Sequence, residues 1–288
     1  MGKINILSMC CALFLLMGCA NQVEAQEFKD KQTKELNFTS DIKVFVIKNI
    51  FGDVNVEGIS SGKGQLNIEK TISADTDVDL EEAKKELEVR IKRFGDTLLV
   101  YIYSPDIYLS TRKGHFHYQM EHYERDYEFR FDFSAKVPEK VEVIAETINE
   151  GDVYVTNIEG KLGVHNVNGS IKIENVKDVS DAITVNGEVE VSFSENPIRN
   201  CRFKTINGDI KVLGKKDLSA DINYKSMNGE FYTNYEVKNI ESEVTKEKKT
   251  KGKTTYFKLG NKPQFRIGDG KIKMTFETLN GDMVVKYL

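Results

Sequence analysis

The histidines of this 288-residue chain are concentrated in one place. The segment "TRKGHFHYQMEHYERD" (111–126) holds three of the four, His115, His117 and His122, with Glu121, Glu124 and Asp126 alongside. A His-x-His pair on a strand points both imidazoles to one face, which is the start of a zinc or copper site. No recognised spacing supplies a third ligand, so the plainer expectation is a polar loop. Its aromatics, Phe116, Tyr118 and Tyr123, could meet a sugar or a protein. A second set of candidates follows recurring glycines: Asp53, Asp152, Ser170, Glu188, Asp209, Glu230 and Asp282. A column of carboxylates could hold calcium, or supply the paired acids of glycoside hydrolysis. The glycines are single, however, and Lys172 and Lys211 stand two residues on from Ser170 and Asp209. Exposed turns in which each acid accepts from local backbone N–H groups account for that pattern. The lysine-rich run "EVTKEKKTKGKTTY" (243–256) reads as a solvated loop tip.

Catalytic signatures are absent. There is no Gly-x-Ser-x-Gly elbow, His-Glu-x-x-His pair or Walker loop. His165 is the one histidine within the repeats and has no Ser and Asp partners in a triad-like arrangement. Expectation at this level is therefore no enzyme, no cofactor and no resident metal. With 41 basic against 45 acidic residues, no global field attracts nucleic acid.

These residues must be positioned by a repeat. "KTINGDIKV" (204–212) has relatives at 147–155, 165–173, 183–191, 225–233 and 277–285, and an earlier cousin "NIFGDVNV" at 49–56. On either side of Asn-Gly the side chains alternate, Ile210 and Val212 against Asp209 and Lys211, so each unit is strand, turn, strand. Gly151, Gly169, Gly187, Gly208 and Gly229 are separated by 18, 18, 21 and 21 residues, and Gly281 follows 52 later. A fixed period of this length predicts an all-β fold, a β-solenoid (parallel β-helix-like) whose coils stack in chain order, with one or two further coils and an insertion before Gly281. A sandwich of hairpins would not require one tetrad at a constant offset. Stacking at about 4.8 Å would bring Asn168, Asn186, Asn207, Asn228 and Asn280 into a hydrogen-bonded ladder beside Gly169, Gly187, Gly208, Gly229 and Gly281.

Residues 26–145 form an N-terminal β-rich part that starts the solenoid, with a loop insertion at 104–126. Residues 146–288 carry the repeats, with a basic insertion at 234–265. "DTDVDLEEAKKELEVRI" (75–91) predicts a short helix capped by Asp75, Thr76 or Asp77, turning to strand at Leu87, Val89 and Ile91. The runs 95–103 and 126–133 are expected to pair with each other over one end or flank, Tyr127, Phe129, Phe131 and Phe133 forming an apolar face. Residues 1–25 read as a signal. "LSMCCALFLLMGCA" (7–20) is too short to span a membrane, "LMGC" (16–19) fits a lipobox with Cys19 lipidated, and "VEA" before Gln26 fits ordinary signal cleavage. Either way the chain is exported, with an outer-membrane or periplasmic lipoprotein, exposed at the cell surface or not, as the expected product. Beyond the signal Cys201 is the sole thiol, in a strand-like run suited to a small buried residue.

The run "KVPEKVEVIAETINEGDVYVTNIEGKLGVHNVNGSIKI" (136–173), with the Asn-Gly units that follow, resembles the bacterial "putative adhesin" β-strand-repeat family, akin to autotransporter adhesin heads. The resemblance covers roughly residues 40–288, least at 60–135 and 234–265. It implies a β-solenoid in an exported or lipid-anchored protein and brings no catalytic residues. The expected function is a non-catalytic, adhesin-like envelope module that presents a surface to an unidentified glycan or an envelope or host protein. The alternatives are a periplasmic accessory to envelope stress signalling and a carbohydrate-active enzyme.

Overall fold

The computed structural model describes residues 25–112, 115–121, 125–240, 246–251, 254–259 and 264–287. Cys19 and the signal segment up to residue 24 lie outside them, as do His122, Tyr123 and Glu124. The protein is all-β. Successive strands join two large sheets in turn, one of twelve strands and one of eleven. The larger sheet takes Val54–Ile59, Val153–Thr156, Ile171–Val176, Val189–Phe193 and Ile210–Gly214, each parallel to the last. The smaller takes Val44–Lys48, Glu142–Glu146, Lys161–His165, Asp178–Ile183 and Cys201–Lys204 in the same manner.

Period-2 alternation explains the layering. Val153 and Val155, Val189 and Val191, Ile210 and Val212 turn inward from one sheet, and Val143, Leu162, Val164 and Phe203 turn inward from the other. They meet in one continuous core.

Spatial order departs from chain order at the C-terminus. Ile272–Glu277 lies between Cys201–Lys204 and Ala220–Lys225, and Met283–Tyr287 lies between Ile210–Gly214 and Phe231–Thr233. The last repeat is thus intercalated before the one that precedes it in sequence, rather than added beyond it. The return path explains how. Gln264–Ile267 runs antiparallel along the far side of Ala220–Lys225, and the turn through Gly268 (φ 61°) and Gly270 (φ 72°) crosses over that strand to its other side. The Ser219 hydroxyl holds the turn, accepting from the Asp269 N–H at 3.0 Å and the Lys271 N–H at 3.3 Å.

The flanks are antiparallel. Gly64–Ala74 pairs with both Gln26–Leu36 and Tyr127–Pro138 at one end of the larger sheet. At the other end Thr254–Leu259 pairs with Phe231–Thr233 and with Lys246–Lys251, so the basic insertion contributes strands. The two aromatic runs expected to pair do not. Tyr127–Pro138 belongs to the larger sheet and Thr97–Tyr103 to the smaller, facing one another across the core. Phe129, Phe131 and Phe133 are buried in one stack of rings. Thr97–Tyr103 is apolar on both faces because both are covered, Leu98, Val100 and Ile102 by the core and Leu99 and Tyr101 by an outer cluster. That outer cover is a hairpin of Ile107–Arg112 and His115–Met120, built from the stretch expected to be a loop. The helix is Asp77–Glu86, and the Thr76 hydroxyl caps it by accepting from the Asp79 N–H at 3.2 Å.

Candidate functional site

The Asn-Gly corner is a set of three parallel columns, and all three are occupied by structure. In the first, Asn168 Nδ2 donates to Asn149 Oδ1 at 2.7 Å, Asn186 to Asn168 at 2.7 Å, Asn207 to Asn186 at 2.8 Å, Asn280 to Asn207 at 2.7 Å and Asn228 to Asn280 at 2.8 Å. Asn280 therefore stands ahead of Asn228. The glycines beside them permit close stacking, and Gly187, Gly208 and Gly281 also take the positive φ (153°, 155° and 152°) expected of the turn. A Cβ at Gly169 would fall 2.0 Å from the Gly151 carbonyl oxygen, at Gly208 2.0 Å from that of Gly187, and at Gly229 1.8 Å from that of Gly281.

The second column is acidic. Asp53 accepts from the Asp152 N–H at 2.9 Å, Asp152 from Ser170 at 2.7 Å, Asp209 from Asp282 at 2.7 Å and Asp282 from Glu230 at 2.8 Å. These four aspartates are committed to the backbone of the next coil, not to their own turns as expected, while the Glu230 carboxylate accepts from the Tyr232 hydroxyl. The third column is one of hydroxyls and an amide, which the sequence analysis does not anticipate. Thr147, Thr184, Thr205 and Thr278 donate their hydroxyls to the carbonyls of Gly52, Gly169, Gly187 and Gly208 at 2.8, 2.8, 2.9 and 3.1 Å. Asn166 Nδ2 does the same to Gly151 at 2.9 Å. The signal was a hydroxyl or amide two residues before every Asn-Gly asparagine.

Chemistry with open space beside it lies elsewhere, on the outer face of the smaller sheet. The Ile107–Met120 hairpin packs there on Val46, Leu99 and Tyr101 through Leu109, Phe116 and Tyr118. The Tyr118 hydroxyl pins it, accepting from the Ile102 N–H at 2.9 Å and donating to the Lys48 carbonyl at 3.0 Å. Burial pushes the Tyr118 hydroxyl far above its ordinary pKa. Beside the hairpin opens a cleft of about 500 Å³.

One wall of the cleft is a row in strand register, Lys48, Glu146 and His165. Lys48 Nζ is bonded to Glu146 Oε2, His165 Nδ1 lies 3.1 Å from Glu146 Oε1, and His165 Nε2 is bonded to Asp181 Oδ1. Burial disfavours the imidazolium, but the Asp181 and Glu146 carboxylates outweigh it and push His165 up to about 9. Burial likewise opposes ionisation of Glu146, and His165 and Lys48 overcome it and hold that carboxyl below its usual range. Both imidazole nitrogens face carboxylates, so the protonated ring that this pairing favours donates to both. The adjacent Ser180 hydroxyl is spent on the Leu162 carbonyl at 3.0 Å. Lys161 and Glu142, 3.1 Å apart, form the opposite wall.

Of the histidine-rich segment, His117 reaches the rim of the cleft. The side chain of His115 and all of His122 lie outside the described residues, and among the described residues no three His, Cys, Asp or Glu side chains group to hold a metal ion. Cys201 is buried, and burial, aided by Asp178, pushes its thiol up to about 12.

No protein-family model matches the chain, and no curated protein matches it either. Among solved structures it is similar to a "putative cell adhesion protein" from Clostridium sporogenes, with TM-score 0.42 and 13% identity over 91% of this chain and 100% of that one. It is also similar to a "putative adhesin" from Bacteroides fragilis, with TM-score 0.33 and 11% identity over 90% and 97% of the two chains. A "putative lipid binding protein" from Parabacteroides distasonis gives TM-score 0.29 and 11% identity over 88% and 96%. Likenesses this loose leave the function to be argued from the chain's own residues.

Proposed function

We propose that this chain is an exported, non-catalytic, adhesin-like module of the bacterial cell envelope. It is a β-solenoid of 18–21-residue coils, anchored through a lipidated Cys19, that presents a binding surface to a glycan or to an envelope or host protein. Parallel registration of successive coils and the ladder from Asn149 to Asn228 support the solenoid. The observation that carries the functional reading is the cleft under the Ile107–Met120 hairpin. It is open enough to admit a ligand, yet His165 on its wall is pinned by two carboxylates and its serine is committed to backbone, with His117 alone at the rim, an arrangement suited to binding rather than turnover.

Protease shaving of intact cells tests it, with the lysine-rich stretch 246–253 as the expected cut site and a periplasmic protein as control. Cleavage with the control intact is the expected result. Protection until the outer membrane is opened would refute surface display and favour a role inside the periplasm.

A further inference from the structure

We propose that the cleft takes one uncharged sugar ring, a residue of a glycan, seated over Gly163. This rests on the binding-module reading above and names its ligand class.

The floor is the first observation. Gly163 occupies an outward-facing position between Ile144 and Asp181 in strand register. Glycine inside a strand ordinarily answers to a positive φ or to a backbone pressed against it. Neither holds here. Gly163 does not have a positive φ, and a Cβ on it would find nothing nearer than 3.6 Å. Contrast Gly208, whose Cβ would fall 2.0 Å from a carbonyl oxygen. Folding does not demand a glycine at 163, and its effect is to leave a recess in the sheet.

The second observation is a β-bulge at the same point. Leu162 faces Val179 while Gly163 faces Asp181, so Ser180 is the extra residue on its strand. The slip brings the Asp181 carboxylate to His165 Nε2 at the edge of the recess. Gap and polar group are thus built together.

The third is charge. Lys48, Lys161 and His165 stand against Glu142, Glu146 and Asp181, cation matched to carboxylate around the cleft. A charged ligand finds no unmatched partner, and a purely apolar one would strip water from these groups and return no hydrogen bonds. A neutral polyhydroxylated ring fits both conditions. Its hydroxyls can donate to the free lone pairs of Glu146 and Asp181, and its C–H face can rest on Phe116 and Ile144, which line the same space.

The test is titration of the ¹⁵N-labelled protein with methyl glycosides of glucose, galactose, mannose, fucose, N-acetylglucosamine and N-acetylgalactosamine. At least one is expected to shift the amide signals of Gly163, His165 and Phe116 saturably. Gly163→Val should weaken that sugar at least tenfold while its amide spectrum away from the cleft stays that of the wild type, since valine suits a strand. Phe116→Ala, which leaves the recess intact, should weaken it as well. The proposal is overturned if no sugar of the panel shifts these signals, or if Gly163→Val binds as wild type does. Should a peptide move the same signals where sugars do not, the ligand class is wrong. In any of these failures, binding of the unmodified protein to whole cells or envelope preparations leaves the binding-module reading standing, and no such binding overturns both.

Discussion

Thr205→Val separates the buried column of the corner from the exposed one. The side chains are nearly isosteric, so the change removes a hydroxyl without opening a cavity. Thr205 is 1% exposed, and its hydroxyl donates to the Gly187 carbonyl of the neighbouring coil at 2.9 Å. Valine leaves that carbonyl facing a methyl group where water cannot reach, a loss of about 1–2 kcal/mol. Asn207→Ala breaks two ladder bonds, to Asn186 at 2.8 Å and from Asn280 at 2.7 Å, but at an exposed site where water substitutes. About 1 kcal/mol is the expected cost. Lys211→Ala removes a half-exposed ion pair with Glu190 and should cost ~0–0.5 kcal/mol. Urea unfolding checks the ranking, with unchanged m-values identifying a folded-state effect. In thermal melts each kcal/mol corresponds to roughly 2–4 °C for a chain of this size. If Thr205→Val proves no more destabilising than Lys211→Ala, the threonine column does not hold the coils together and the reasoning fails.

Two further outcomes follow from the outer face. His165 titrates higher in the folded protein, about 9, than its ordinary 6.5. The stability it lends is therefore complete below about pH 6.5 and is lost as pH rises through about 9. The melting temperature of wild type minus that of His165→Gln should shrink across that window, and a difference flat from pH 6 to 10 would contradict the doubly paired imidazolium. Arg199→Ala deprives the Asp178 carboxylate, 5% exposed, of its ion-pair partner. Because the Arg199 side chain is itself 62% exposed, the loss should be on the order of 2 kcal/mol, below the ~3–5 of a fully buried pair. The double variant with Asp178→Asn should recover part of it in denaturant titrations. No recovery would show that Arg199 acts by packing alone.

Local chemistry was legible along the chain. Alternation after Asn207-Gly208 set Ile210 and Val212 apart from Asp209 and Lys211, and the first two are buried, while of the three candidate caps Thr76 is the one that starts the helix. Two things were not legible, for different reasons. Repeats at 225–233 and 277–285 present nearly the same edges to a neighbour, so nothing within either unit says which stacks first. The return turn at 268–271 decides that, and its effect appears only once Gln264–Ile267 has paired. The cleft was hidden by distance. Lys48 and Glu146 are 98 residues apart, and Glu146 and His165 nineteen, so the row appears only when strands are aligned coil by coil. Even then the bulge at Ser180, which aims Asp181 at His165, has no counterpart in the repeat spacing.

The intercalated repeat makes assembly depend on residues 272–287. Until residues 272–287 have paired, Ala220–Lys225 has no Ile272–Glu277 to join it to Cys201–Lys204, and Phe231–Thr233 no Met283–Tyr287 to join it to Ile210–Gly214. A stack laid down strictly in chain order tolerates a frayed end, since a lost final rung exposes only the one below it. Here a premature stop or a proteolytic nick after residue 270 would remove an interior rung and detach everything beyond it. Met283–Tyr287 thus works as a keystone, without which the coils on its two sides are not joined in the larger sheet.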